Sequence, residues 1–379
     1  MRVAILRSTA QSSISMKVYA DNIVEGLKKV HPDWEILDIS PEISSKLSLP
    51  GKRTGAIRNG LSRYYERYWR YPRFFKSLEA DIFHVVDHSD GHLVSWLKYY
   101  GKSTLVTCHD LINWVQPEMY KGLAILPFIS LNTWRWSVKQ MKQADHIIAV
   151  SEHTALDVTR CLQVTPQKIT AIPNAVSEHF SPASSQEVEK FRQQQGLSAE
   201  TLSLLNIGSN NPRKNVSAIL KTVRRLISHQ QPVHFWKAGS DFTAEQQAFI
   251  KIHQLDAHVS YVGRIDDEQL KQLYSAADVL VAPSLYEGFG LTVLEAMACG
   301  TPVITADRTS LPEVAGDAAI LVDPEDEGAI TAAIEKLIQN PDLRNQLSQA
   351  GLARVQLFTW TNTAHKIASV YEYVYSLAH

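Results

Sequence analysis

The chain reads as an α/β protein built from two doubly wound parallel-sheet domains, and three observations carry that reading. Short apolar runs recur along the whole chain with helical stretches between them, and such alternation assembles parallel sheets from βαβ units. At 379 residues the chain exceeds what one hydrophobic core ordinarily supports. A polar segment from Ser177 to Thr201, with Ser-Pro-Ala-Ser-Ser and Gln-Gln-Gln runs, separates two sets of apolar runs.

In the first set, strands are expected at Val3–Leu6, Glu35–Ile39, Ile82–Val86, Thr104–Thr107, His146–Val150 and Ile169–Ile172. In the second they are expected at Ser203–Ile207, Val233–Trp236, His258–Val262, Asp278–Ala282, Pro302–Thr305 and Ala319–Val322. The domains are therefore placed at 1–178 and 179–357. Doubly wound sheets bind ligands outside the carboxyl ends of their strands. Two such sheets facing each other leave a cleft, and the best motifs of this chain fall on strand-to-helix connections.

The densest motif runs from Pro283 to Gly300, where Glu287 and Glu295 stand with seven residues between them. A strand precedes it, and Leu291–Cys299 reads as a helix ended by Gly300. The Gly288-Phe289-Gly290 turn then lies at a helix N-terminus, whose leading N–H groups make an anion site. Glu295, one turn in from Leu291, is a rigidly held acceptor for sugar hydroxyls. The segment asks for a ligand both phosphorylated and hydroxylated. Arg213-Lys214 follows the strand Ser203–Ile207 and the loop Gly208-Ser209-Asn210-Asn211-Pro212. It precedes a helix beginning near Asn215, with Val216, Ile219, Leu220, Val223 and Ile227 at helical spacing. Two cations there oppose the helix dipole. A diphosphate between them reverses that sign.

Residues Glu287 to Gly300 resemble the family 4 glycosyltransferases, whose hallmark is E-G-F-G-L-x-x-x-E-A-M-A-x-G, matched here without a gap. The resemblance continues through Thr301-Pro302-Val303-Ile304 and Ser310-Leu311-Pro312-Glu313-Val314, covers most of 200–325, and extends more thinly over the first 180 residues. It implies the GT-B fold, two Rossmann-like domains facing a central cleft, with residues 358–379 crossing back onto the first domain. It also implies retaining transfer of a hexose from a nucleoside-diphosphate sugar to a saccharide or lipid-linked acceptor. By that resemblance Arg213 and Lys214 clamp the donor diphosphate and absorb charge as it leaves. Glu295 holds the nucleotide ribose, Glu287 lies by the transferred sugar, and Arg264-Ile265 mark the place of the base. His109, followed by Asp110 at the end of the strand Thr104–Thr107, reaches the sugar from the other domain. The expected catalytic set is Glu287, His109, Arg213 and Lys214. The donor-binding set adds Arg264, Ile265, Gly288, Phe289, Gly290, Leu291 and Glu295.

Pro212-Arg213-Lys214-Asn215 and Ser310–Val314 look like bacterial mannosyltransferases that use GDP-mannose. Two positions depart from the family pattern. Ser8-Thr9-Ala10-Gln11-Ser12-Ser13 stands where many members carry a Gly-Gly pair, and Ala175 stands where a glycine is usual after Pro173-Asn174.

Bulk properties narrow the partners. A formal net charge of -1 argues against a nucleic-acid binder. The three cysteines, Cys108, Cys161 and Cys299, lack metal-ligand spacing and fit a reducing cytosol. No D-x-D element occurs, so neither a metal nor another cofactor is expected. The first strand is too short for a signal peptide, and no apolar run reaches the ~18 residues of a membrane span. The stretch Lys46 to Lys76 carries nine Lys or Arg and one acid, Glu66. At helical spacing Arg63, Arg67 and Arg70 share a face beside Tyr64, Tyr68 and Tyr71, with Pro72 closing the run. This pattern suits an anionic membrane surface as well as a solvated helix packed through its aromatics. The expected location is cytoplasmic, peripheral on the inner face of the membrane.

Two rival functions compete. Gly288-x-Gly290 before a helix, with Asp307 downstream, mimics part of an NAD-binding fingerprint. Val293 occupies its third glycine position, however, and the turn falls late in its domain. A non-catalytic nucleotide-sugar-binding protein is the other rival, against which Glu287, Glu295, Arg213 and Lys214 are all intact.

Overall fold

The computed structural model describes residues 1–8, 14–40, 64–120, 127–198 and 200–378. The chain divides into two compact units, Met1–Asn174 with Trp360–His379, and Ala175–Thr359.

The first unit holds strands β1 (Arg2–Leu6), β2 (Glu35–Ile39), β3 (Ile82–Val85), β4 (Thr104–Cys108), β5 (His146–Ala149) and β6 (Ile169–Ala171) in the order β2-β1-β3-β4-β5-β6. All pairings are parallel. Side chains alternate across a strand, so Val3 and Ile5 face one side while Ala4 and Leu6 face the other. On the first side they join Ile23, Leu27, Ile367 and Tyr371 from the helices Ile14–Val30 and Trp360–Ala378. On the second they join Leu93, Leu97, Val158 and Leu162. Both faces are covered, which is why these strands read as continuous apolar runs.

The second unit holds β7 (Leu202–Gly208), β8 (Val233–Gly239), β9 (Val259–Gly263), β10 (Val279–Ala282), β11 (Val303–Ala306) and β12 (Ala319–Val322), ordered β12-β11-β10-β7-β8-β9. The pairings are again parallel. The helix Val216–Ser228 buries Val216, Ile219, Leu220 and Val223 in the core with Phe235 and Val281. The chain leaves β9 at one edge and returns as β10 on the far side of β7. The strand order therefore reverses between β7 and β10, and the loops after these two strands, 209–215 and 283–290, stand side by side above the sheet. Both domains are thus doubly wound parallel sheets, as expected from the alternation of runs.

The basic stretch departs from expectation. Residues 46–63, Arg63 among them, lie outside the described residues. From Tyr64 the chain is helical through Phe74, with a wide turn over Glu66–Arg70. Pro72 does not close this run. It occupies the first turn of the segment Tyr71–Phe74, where a missing N–H is tolerated. Arg67 turns inward to the buried Asp90 at 2.6 Å, Arg70 pairs with Glu66 at 2.9 Å, and Tyr68 packs on His92. A single cationic face is therefore absent among the described residues. What stays exposed is Tyr64, Tyr65, Trp69 and Phe74 together with Arg70, Arg73 and Lys76. No helix among the described residues is long and apolar enough to cross a membrane.

Candidate functional site

In the second unit β7 ends at Gly208 with φ +123°, a conformation L side chains rarely adopt. The chain then tightens over Pro212–Lys214, where the Asn211 side chain accepts a hydrogen bond from the Arg213 N–H. The Lys214 side chain lies back over Gly208, its Nζ 3.8 Å from where a Cβ would stand. The loop after β10 is tied to this turn, because Leu285 N–H donates to the Arg213 carbonyl at 2.7 Å.

The two loops bring Arg213, Lys214 and Glu287 together. Arg213 donates to Glu287 Oε2 and Lys214 Nζ to Glu287 Oε1, both at 2.6 Å. Thus the two cations that oppose the helix dipole share one carboxylate and leave one net positive charge. Burial alone raises the pKa of Glu287, but Lys214 and Arg213 overcome it and hold the carboxyl down to about 2. Glu287 is therefore ionised at neutral pH. Ser310 Oγ donates to the carbonyls of Glu287 and Phe289, fixing the turn. Gly290, at φ +118°, caps the helix Leu291–Ala298, and a Cβ there would meet Leu311 at 2.9 Å. Gly288, Phe289, Gly290 and Leu291 all lie on this one connection. Phe289 is buried edge-on against Phe358.

Glu295 lies in the second turn of that helix, half-buried, and accepts from the Tyr274 hydroxyl at 2.7 Å. Burial raises its pKa. Arg264 and Ile265 follow β9, the edge strand, and Arg264 is exposed. Neither bonds to the Glu287 cluster.

Two residues of this unit escaped sequence reasoning. Tyr274, in the helix Asp267–Ala276, looks like any aromatic on a core face. Lys237 is fully buried in β8 and donates to the carbonyls of Gly208 and Ala238, each at 2.8 Å. Burial first, and then Lys214, brings its pKa down to about 8. Its one signal is a lysine directly after the apolar run Val233–Trp236.

In the first unit His109 follows β4 and is buried. Its Nε2 lies 2.9 Å from the Val86 carbonyl, which can only accept, so Nε2 carries the proton. Nδ1 is left as an acceptor. Burial, and then His88, lowers the His109 pKa to about 4, so the ring is neutral at pH 7. The loop Asp87–Asp90 beneath it, also missed in the sequence, is buried at Asp87, His88 and Asp90. Asp90 takes Arg67 and Ser8 Oγ, the latter at 3.1 Å. Residues 9–13, where the family pattern departs, lie outside the described residues. Among the described residues no group of three His, Cys, Asp or Glu is placed to hold a metal ion.

Two family profiles match the chain: the one described as Glycosyl transferases group 1 over residues 187–354, and Glycosyltransferase Family 4 over residues 18–180. The O-antigen chain mannosyltransferase B of Escherichia coli is 31% identical over 239 residues, which is 62% of this chain and 62% of that protein. The serotype-specific mannosyltransferase WbdA of Escherichia coli is 27% identical over 301 residues, 76% of this chain but 36% of WbdA. The matched stretch thus spans less than two thirds of either relative. Sucrose-phosphate synthase from Thermosynechococcus elongatus superposes with a TM-score of 0.76 at 21% identity, covering 99% of each chain. Anabaena HepE, solved with UDP and glucose, gives 0.73 at 16% identity, covering 98% of this chain and 99% of that one. These structural likenesses show the fold.

Proposed function

We propose that this chain, which belongs to the family 4 glycosyltransferases of the GT-B fold, moves mannose from GDP-mannose to a saccharide or lipid-linked acceptor with retention of anomeric configuration. The observation that carries this is the Arg213–Glu287–Lys214 cluster at the point where strand order reverses, beside the helix begun by Gly290. A net positive charge beside the N–H groups of a helix N-terminus favours an anion. Arg213 and Lys214 take the diphosphate, with Gly288 to Leu291 lending backbone N–H groups. Glu295 takes the ribose, and the chain at Arg264 and Ile265 flanks the base.

In the reaction the bond from the anomeric carbon to the diphosphate breaks, and the acceptor oxygen bonds to that carbon on the same face. The acceptor proton passes to a diphosphate oxygen, while Arg213 and Lys214 stabilise the growing charge. Glu287, held ionised, orients sugar hydroxyls and steers the two cations. It is not the proton donor. In the first unit His109, its Nε2–H given to Val86, keeps Nδ1 as an acceptor. Arg213, Lys214 and the N–H groups of Gly288 to Leu291 offset part of the diphosphate charge, and the proposed transfer uses no metal.

Mannose as the sugar is supported by the two relatives, both named as mannosyltransferases, and by the Pro212–Asn215 and Ser310–Val314 elements. The exposed Tyr64, Tyr65, Trp69 and Phe74 beside Arg70, Arg73 and Lys76 support a second partner, an anionic membrane surface on the cytoplasmic side. Incubation with GDP-mannose and a mannose-containing acceptor, followed by NMR of the product, tests the reading. The new glycosidic bond is expected to keep the donor's anomeric configuration. An inverted product, or turnover with a different nucleotide sugar only, contradicts it.

A further inference from the structure

Tyr274 has no exposed surface, and its ring is pinned edge-on by Phe180 with centroids 5.9 Å apart. Its backbone carbonyl accepts from Thr301 Oγ1 at 2.6 Å, which anchors the main chain at this position. Burial, and then the neighbouring Glu295, raises its pKa well above the ordinary value, and the hydroxyl stays protonated. It can therefore only donate to Glu295 Oε2. That carboxylate receives no other side-chain hydrogen bond among the described residues, and Lys214 acts on it only through space, without an ion pair. A half-buried carboxylate with one neutral donor is an unfavourable arrangement by itself. Two oxygens with spare lone pairs, one locked in place, form a receptor for adjacent hydroxyl groups.

We infer that Tyr274 is the positioning residue for ribose recognition: its hydroxyl locks Glu295 Oε2, so that the carboxylate is presented to the 2′- and 3′-hydroxyls of the donor nucleotide. This rests on the reading that Glu295 holds the ribose. A merely structural tyrosine and a positioning one differ in what they discriminate. Losing the hydroxyl of a core residue weakens every ligand alike. Losing the hydroxyl that aims Glu295 weakens only ligands that carry the diol.

The test is calorimetric binding of GDP, UDP and ADP, then of the tightest binder against its 2′,3′-dideoxy analogue. The wild-type chain is expected to favour the ribonucleotide by roughly tenfold or more, as fits hydrogen bonds to a charged acceptor. Tyr274→Phe is expected to bring that ratio to about threefold or less while leaving dideoxy affinity unchanged. A variant that keeps the full ratio, or that weakens both ligands equally, overturns the role of Tyr274. No ratio in the wild-type chain overturns the ribose reading of Glu295 itself, and no nucleotide binding overturns the donor site. Should Tyr274→Phe fail to fold, Tyr274→Met, which fills the buried space with an adaptable apolar side chain and no hydroxyl, carries the same expectation. A full ratio there is equally contrary.

Discussion

Lys214 Nζ stands 2.6 Å from Glu287 Oε1, and 73 residues of sequence separate the two. Glu287 is buried, and its other oxygen is taken by Arg213. The carboxylate therefore keeps two cations aimed at one place and partly neutral. An arriving diphosphate meets donors already oriented, which lowers the cost of ordering them.

Lys214→Ala is expected to lower turnover by two orders of magnitude or more, a typical loss for one preorganised charged donor. Glu287 keeps Arg213 as partner, so the fold is expected to survive. Glu287→Gln is expected to lower the rate more than the affinity. Steady-state rates of GDP release, with melting curves alongside, check both. Near wild-type turnover in either variant contradicts the assignment.

His109 has its Nε2–H committed to Val86 and a pKa of about 4. A base whose folded pKa is depressed binds fewer protons than its unfolded form between that value and the ordinary 6.5. Folding stability is therefore expected to fall on acidification across pH 6.5 to about 4. Nitrogen-15 shifts of the ring should show the Nε2–H tautomer throughout neutral pH. A midpoint near 6.5, or an Nδ1–H tautomer, contradicts the geometry.

Lys237 supplies a pH test at the alkaline end. Its folded pKa of about 8 lies below the ordinary 10.5. Between these values the unfolded chain binds the extra proton, so Lys237 contributes a gain in stability with rising pH across the window, against the opposite contribution of buried thiols and phenols such as Cys108 and Tyr274. Lys237→Met is expected to remove that contribution, leaving a less positive slope than in the wild-type chain. Urea denaturation at about pH 7.5, 9 and 10 measures it, and equal slopes in the two proteins argue against a neutralised buried ammonium.

At the membrane, the exposed Trp69 and Phe74 with Arg70, Arg73 and Lys76 are expected to bind vesicles containing anionic lipid and not neutral ones. Trp69→Ala combined with Arg73→Ala should weaken that binding severalfold, as two anchoring side chains are lost. Co-sedimentation reads the result. No association with either vesicle removes this partner.

Much of this fold and site was legible in the sequence because its signals are local. Strands buried on both faces give continuous apolar runs, so β1, β4, β7 and β10 stand out. The turn before Leu291 carries Gly290 where a positive φ and the packing of Leu311 require a glycine. Bonds that join distant segments were not legible. The bond from Tyr274 to Glu295 crosses between two helices, and a tyrosine on a core face looks the same with or without a carboxylate above it. The basic stretch misled for the same reason. Helical spacing put Arg67 with Arg63 and Arg70, but the buried Asp90 draws it inward, and the wide turn over Glu66–Arg70 changes the register of the residues after it.

The most direct measurement is thermal shift and donor turnover with GDP-, UDP- and ADP-sugars at about 1 mM, the upper end of the usual range of enzyme KM values, with and without EDTA. Selective stabilisation and turnover by GDP-mannose, unchanged by EDTA and lost in Lys214→Ala, is the predicted result. Binding of NAD with no nucleotide sugar bound, or turnover that EDTA abolishes, contradicts the account.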